Sequence, residues 1–219
     1  MKIRKPLLLV VLIAIISFSV NAQVKSASGV YESPFGKFTI GISNGILTGF
    51  YENYGSWDSE LKTYMRQDVF YIYGTTRNGI NYDIISGTPG FPGENMKGKL
   101  SFEVKETRFK IRLNDVPPTG CGFDISEDSE KNYFPLKDTL SIIGVAYIKS
   151  RKAPLYTYEN GTFSQKKAYL VYADKVLIKV RKGLYTKIGY RILNTNRYKD
   201  YWLRTTDLQD PSPTLWGDF

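Results

Sequence analysis

The side chains that could carry out catalysis are few, because the chain has no histidine and one cysteine, Cys121. Without histidine, the general base of serine–histidine–aspartate and cysteine–histidine catalysis is missing. Imidazole-based zinc sites are excluded for the same reason, and a single cysteine cannot replace them. We expect no metal and no cofactor. Cys121 lies in a turn-rich stretch and is expected to be a small buried side chain, with a reactive thiol or an intermolecular bridge as the alternative.

Carboxylate pairs are the remaining route to catalysis, because a glycosidase needs no histidine. The first half of the chain offers Glu94, Glu103, Glu106 and Asp124. None of them lies in a catalytic motif, and surface charge explains each one better. We therefore expect the protein not to be an enzyme.

Aromatic and basic side chains in the second half are the candidates for ligand binding. The chain has a net charge of +9, and its excess of lysine and arginine falls after about residue 130. This imbalance favours a partner that is anionic. The candidate binding residues are Tyr156, Tyr158, Tyr169, Tyr185, Lys187 and Trp202. For each aromatic residue the competing interpretation is packing in a small barrel, and for the basic clusters it is a solvated turn.

The first 22 residues have the pattern of a secretory signal peptide. Lys2, Arg4 and Lys5 precede the apolar run Leu7–Val20, and cleavage is expected after Ala22. The apolar run has about 14 residues, whereas a membrane span needs roughly 20. The mature chain is thus expected to be exported, periplasmic or secreted, with no transmembrane segment. Export argues against a nucleic-acid partner.

Residues 23–125 are predicted to form an antiparallel β-barrel or sandwich. Lys37–Ile42 and Arg108–Leu113 alternate apolar and polar residues, as strands with one buried face do. Asn44-Gly45 is typical of a two-residue hairpin, and Asn78-Gly79 is expected to form a second turn. The opening Gly29–Tyr31 and the hairpin through Tyr51 resemble the first hairpin of avidin-like and lipocalin-like barrels. That resemblance implies a barrel and carries over no ligand.

The charged residues 126–139 are interpreted as a linker to a second domain at 140–210, with 211–219 as a tail. The centre of this second domain is a predicted hairpin, Lys175–Leu193, with a very short turn. Its alternation assigns Val176, Ile178 and Val180 to a core.

The order of motifs in the second half resembles a bacterial SH3-like domain, a small β-barrel. The residues that carry this resemblance are Leu155-Tyr156, Ala173-Asp174, Val176–Val180, Tyr185–Ile188, Tyr201–Leu203 and Leu208. The resemblance implies binding of peptides or cell-wall peptide stems by an accessory module. Tyr185 and Asp200-Tyr201 depart from the usual tryptophan and glycine of that pattern.

Together these features predict an all-β, exported, non-enzymatic binding protein. Its SH3-like domain would recognise a peptide, a cell-wall component or a protein partner. The alternative hypothesis is a periplasmic inhibitor or immunity protein that neutralises a toxin or a hydrolase.

Overall fold

A computed structural model of the chain describes residues 27–54, 57–60, 63–64, 67–88, 95–115, 132–192 and 197–212. The described residues are almost entirely β-strands. They form a closed antiparallel barrel, followed by a second, curled sheet. The predicted all-β fold with an N-terminal barrel is thus confirmed. The predicted signal peptide, Cys121 and most of the tail lie outside the described residues.

Eight strands close the barrel. They are β1 (Gly29–Ser33), β2 (Gly36–Ser43), β3 (Ile46–Tyr54), β6 (Gln67–Thr76), β7 (Asn81–Gly87), β8 (Met96–Glu103), β9 (Arg108–Leu113) and β10 (Tyr133–Thr139). Their order around the barrel is β1-β10-β9-β8-β7-β6-β3-β2. Between β3 and β6 in the sequence, β4 (Trp57–Asp58) and β5 (Thr63–Tyr64) form a separate two-stranded sheet.

The turn between β2 and β3 sets which side chains enter the barrel. Asn44 and Gly45 have φ values of 52° and 75°, the left-handed pair that a two-residue hairpin requires. This turn places Phe38 opposite Tyr51. Both rings are fully buried. The predicted Asn-Gly hairpin is therefore confirmed, and it fixes the inward face of both strands.

The interior of the barrel is filled by aromatic rings. The Phe38 ring lies 4.8 Å from that of Phe134, 5.0 Å from that of Tyr51 and 5.4 Å from that of Phe109, measured between centroids. The contacts with Phe134 and Phe109 are edge-to-face, and aromatic pairs of this kind add to the stability that the buried area provides. The barrel interior is therefore a packed hydrophobic core.

Residues 133–139, which the sequence placed in a linker, instead form β10 and complete the barrel. β10 pairs with β1 on one side and with β9 on the other. The side chain of Phe134 is fully buried among the barrel rings. The linker interpretation was wrong for this segment. Most of its side chains are exposed, including Lys137 and Asp138, so the sequence shows no alternation and only Phe134 is buried. These residues therefore belong to the barrel, and the strands of the second sheet follow them.

The second sheet has seven strands. They are β11 (Gly144–Ile148), β12 (Lys152–Glu159), β13 (Thr162–Val171), β14 (Lys175–Lys182), β15 (Tyr185–Arg191), β16 (Tyr198–Arg204) and β17 (Leu208–Gln209). Their order is β13-β12-β16-β15-β14-β11-β17. One face of the sheet encloses an apolar core to which Leu155, Ile178, Ile188 and Leu203 contribute.

Val180 does not lie in this core, contrary to the alternation of its strand. The register of β14 against β15 shifts between Ile178 and Val180, so Val180 pairs with Lys187. A β-bulge of this kind moves the following side chains to the other face. Ile178 is 1% exposed, whereas Val180 is 49% exposed.

The outer face of the second sheet packs against the outside of the barrel. Phe50 and Tyr71 of the barrel contact Val145, Tyr147 and Leu177 in one apolar cluster. The strands also approach closely, since a Cβ added at Gly41 would lie 2.3 Å from the Cα of Gly144. In addition, the Val145 N–H donates a hydrogen bond of 2.8 Å to the hydroxyl of Thr48.

Candidate functional site

The pairing of four strands gathers five aromatic side chains on the outer face of the second sheet. Tyr156 pairs with Trp202, and Tyr158 pairs with Phe163. Paired residues of an antiparallel ladder share a face, and so do residues two apart on one strand. Tyr185 of β15 joins them through ring contacts. We call Tyr156, Tyr158, Phe163, Tyr185 and Trp202 the aromatic surface.

The rings of the aromatic surface contact one another in a continuous chain. Phe163 stacks on Tyr185, with centroids 3.8 Å apart and an interplanar angle of 12°. Trp202 lies 5.3 Å from Phe163 and 5.6 Å from Tyr158. Tyr156 packs edge-on against Tyr185 at 5.2 Å. These mutual contacts hold the side chains in place, so a ligand would meet a preorganised surface.

Tyr156 is 5% exposed and forms the floor of the aromatic surface. The other four rings are only partly buried. An aromatic surface with one buried floor residue and a partly open rim suits the binding of an extended or flat ligand.

Lys182 and Arg204 border the aromatic surface. The Lys182 ammonium lies 4.1 Å from the ring centroid of Tyr158 and donates a hydrogen bond of 2.5 Å to its hydroxyl. Arg204 pairs with Tyr185 across the sheet and is exposed. Charge interaction with Tyr156, together with hydrogen bonds to Tyr185 and Tyr156, raises the pKa of Arg204. Exposed cations beside aromatic rings give this surface a positive potential.

Of the six binding residues taken from the sequence, the structure brings four together. Tyr156, Tyr158, Tyr185 and Trp202 all belong to the aromatic surface. Tyr169 instead pairs with Pro154 farther along β13, where Lys152 lies 4.8 Å from its ring centroid.

Lys187 shares the face of Trp202, but its ammonium forms an ion pair of 3.1 Å with Asp200. Asp200 also binds Lys179 at 2.6 Å. Burial alone would raise the pKa of the Asp200 carboxyl, but hydrogen bonds from Lys179 and Lys187 lower it. Lys187 is thus engaged within the sheet.

Phe163 is the aromatic residue that the sequence reasoning missed. The signal was available, because the turn at Asn160-Gly161 predicts a two-residue hairpin. In such a hairpin Glu159 pairs with Thr162, and the next pair outward is Tyr158 with Phe163, which is the observed pairing. Lys182 and Arg204 could not be assigned in this way, since their approach to the rings depends on how β12, β15 and β16 assemble.

Apart from the aromatic surface, a cluster of charged side chains surrounds Glu52, where the two sheets meet. The Glu52 carboxylate is 5% exposed and binds Lys175 at 2.5 Å, Lys37 at 3.1 Å and Arg191 at 3.8 Å. The Tyr54 hydroxyl donates a further hydrogen bond of 2.8 Å to the same carboxylate. Lys37 belongs to the barrel, whereas Lys175 and Arg191 come from the second sheet. The cluster therefore ties the second sheet to the barrel.

Opposing effects determine the ionisation of Glu52. Burial alone would raise the pKa of its carboxyl, but the charges of Lys175 and Lys37 and the hydrogen bonds from Lys175 and Tyr54 lower the pKa to about 2. A carboxylate held ionised by its partners makes a poor proton donor at neutral pH. Its role here is to stabilise the interface.

Of the carboxylates considered for a glycosidase, the structure describes the side-chain contacts of Glu103. Glu103 binds Arg108 at 2.7 Å. Glu94 and Asp124 lie outside the described residues. Across the described ranges, no cluster of three or more His, Cys, Asp or Glu side chains could hold a metal ion.

Comparisons with family models, with curated proteins and with solved structures found no match to this chain. Among the described residues, no helix is long and apolar enough to cross a membrane.

Proposed function

We propose that this protein is an exported, non-enzymatic binding protein whose aromatic surface binds an anionic segment of a protein partner. The observation that carries the proposal is the set of contacting, partly exposed rings bordered by Lys182 and Arg204. Partly exposed tryptophan and tyrosine beside cations are the side chains that most often dominate binding energy at protein interfaces. The sequence pattern of a signal peptide supports export to the periplasm or the medium.

The rest of the molecule supports this role by holding the surface rigid. The apolar core of the second sheet fixes one face of the strands, and the barrel buries part of the other face. The aromatic surface lies on that second face, at the β12, β13 and β16 side of the sheet. The barrel thus acts as a support for the binding sheet, and the SH3-like resemblance agrees with peptide recognition.

Fluorescence of Trp202 offers a direct test. Titration of the protein with acidic, neutral and basic synthetic peptides should change its tryptophan emission only with the acidic set. The variant Trp202→Phe identifies the part of the signal that comes from this residue. Purified cell-wall fragments serve as a parallel arm, and a response to them in place of the acidic peptides would assign the surface to a wall ligand.

Paired variants locate the site. Tyr158→Ala removes a ring from the middle of the surface and should weaken peptide binding by roughly tenfold or more. Tyr172→Ala removes an exposed tyrosine of the same domain outside the surface and should leave affinity unchanged. Equal affinity of the two variants would refute the proposal.

A further inference from the structure

The edge of the second sheet beside the aromatic surface is long and open. Among the described residues, β13 has a strand neighbour only on its β12 side. It has ten residues, most of which are exposed. The opposite edge strand, β17, has two residues, Leu208 and Gln209. β13 is therefore the edge that offers an unpaired backbone of useful length.

The hairpin register identifies which backbone groups face the open side of β13. Glu159 and Thr162 flank the two-residue turn and pair across the hairpin. In such a turn the flanking residues exchange both hydrogen bonds, and the next pair exchanges none. The N–H and C=O groups of Phe163 and Gln165 therefore point outward, whereas those of Ser164 point to Thr157.

The side chains along this edge select against a second copy of the chain. β13 carries Lys166 and Lys167 and no acidic residue. Two β13 strands placed side by side would bring four ammonium groups together, which is unfavourable. An incoming strand with acidic side chains would instead gain attraction from the same lysines, and Lys152 adds a further positive charge on the neighbouring strand.

The open backbone also lies next to the aromatic surface. Phe163 supplies both a ring of that surface and an outward-facing backbone. A strand added beside β13 would place one side chain against the Phe163 ring while its backbone pairs with Phe163 and Gln165. Main-chain hydrogen bonds would then provide affinity, and alternate side chains would provide specificity.

We propose that β13 binds an acidic, extended peptide segment as an added strand, with an apolar side chain against Phe163 and acidic side chains beside Lys166 and Lys167. This inference rests on the proposed function and states how the partner is bound. The bound peptide would become an eighth strand of the second sheet, next to β13.

Amide hydrogen exchange in the full chain tests the proposal directly. The probe is a set of synthetic ten-residue peptides in which β-branched residues alternate with glutamate, with a matched set that carries lysine. The glutamate peptides should slow exchange of the Phe163 and Gln165 amides by about tenfold or more. The Ser164 amide, already paired with Thr157, should not change. Slowing without preference for glutamate, or no slowing at Phe163 and Gln165, would overturn the proposal.

Two variants separate strand addition from other binding. Gln165→Pro removes an outward N–H donor, which an edge strand tolerates, and should weaken glutamate-peptide binding by about tenfold. Gln165→Thr keeps the donor and should bind as the wild type does. The double variant Lys166→Glu with Lys167→Glu should reverse the preference towards the lysine peptides and does not depend on how the proline variant folds.

The outcomes also distinguish this inference from the proposed function. Suppose that Tyr158→Ala loses binding while Gln165→Pro and the lysine-to-glutamate variant keep wild-type affinity and preference. The aromatic surface would then bind its ligand without strand addition, and only the inference would fail. Retention of binding by Tyr158→Ala would contradict the proposed function as well.

Discussion

Replacement of Glu52 by glutamine should destabilise the protein strongly at neutral pH. The carboxylate is 5% exposed and binds cations from both sheets, so Glu52→Gln leaves Lys37, Lys175 and Arg191 without their shared counter-charge. Removal of one partner from a fully buried ion pair costs about 3–5 kcal/mol. The cations that remain here are 22–37% exposed, so the cost is expected at the lower end of that range.

The pKa of Glu52 gives a second value for the folding free energy that the ionised carboxylate contributes. The pKa falls from the ordinary value of 4.5 to about 2 in the folded protein. At about 1.36 kcal/mol per pH unit, this difference corresponds to about 3 kcal/mol of folding free energy. Because the folded pKa is the lower one, the stabilisation is present above about pH 5. It is lost as the pH falls towards 2.

Urea unfolding at several pH values measures how much Glu52→Gln lowers the free energy of unfolding and how that loss depends on pH. At pH 7, Glu52→Gln should lower the free energy of unfolding by about 3 kcal/mol. At pH 3 the difference from the wild type should shrink to about half or less, because the unfolded wild type then binds a proton that the folded state excludes.

Glu103→Gln is the matched control. Glu103 binds Arg108 at 2.7 Å, but both side chains are about one-third exposed. Such a pair contributes about 0–1 kcal/mol, so this variant should stay close to the wild type. Should Glu52→Gln unfold like Glu103→Gln at pH 7, or should its effect not change between pH 7 and pH 3, the account of the Glu52 cluster would be refuted.

Two further pairs of substitutions test the contact between the barrel and the second sheet, and the bulge in β14. Gly41→Ala should cost roughly 1–3 kcal/mol in urea unfolding, because its Cβ would lie 2.3 Å from the Cα of Gly144; Gly189→Ala, where the nearest atom is 3.4 Å away, should cost less, and equal costs would contradict the close contact. Val180→Thr should change stability by about 0.5 kcal/mol or less because Val180 is 49% exposed. Ile178→Thr, at a buried position, should cost at least about 2 kcal/mol, and the reverse order in thermal unfolding would contradict the β-bulge.

Much of the fold could be predicted from local pattern. The hairpins at Asn44-Gly45 and Asn160-Gly161 need left-handed backbone at both turn residues, and both pairs adopt it. The alternation of apolar and polar residues predicted which side chains of β2 and β9 face the barrel interior. It failed at β10, where Phe134 is the only fully buried side chain of the strand, and at Val180, where a bulge changes the period.

The candidate site was predicted in part. Tyr156, Tyr158, Tyr185 and Trp202 do meet, because strand alternation and register place all four on one face of neighbouring strands. The structure places Tyr169 apart from these four, beyond a register shift between β12 and β13, and it pairs Lys187 with Asp200.

The sequence by itself determined the class of secondary structure, the tight turns and the absence of histidine chemistry, because each depends on residue type or on neighbours a few positions away. Only the tertiary structure decided that β10 closes the barrel, that Glu52 joins Lys175 across the interface, and that Phe163 completes the aromatic surface. Glu52 and Lys175 are far apart in the chain and meet only when the two sheets pack together. Contacts of that kind depend on strand order and register, which local composition does not encode.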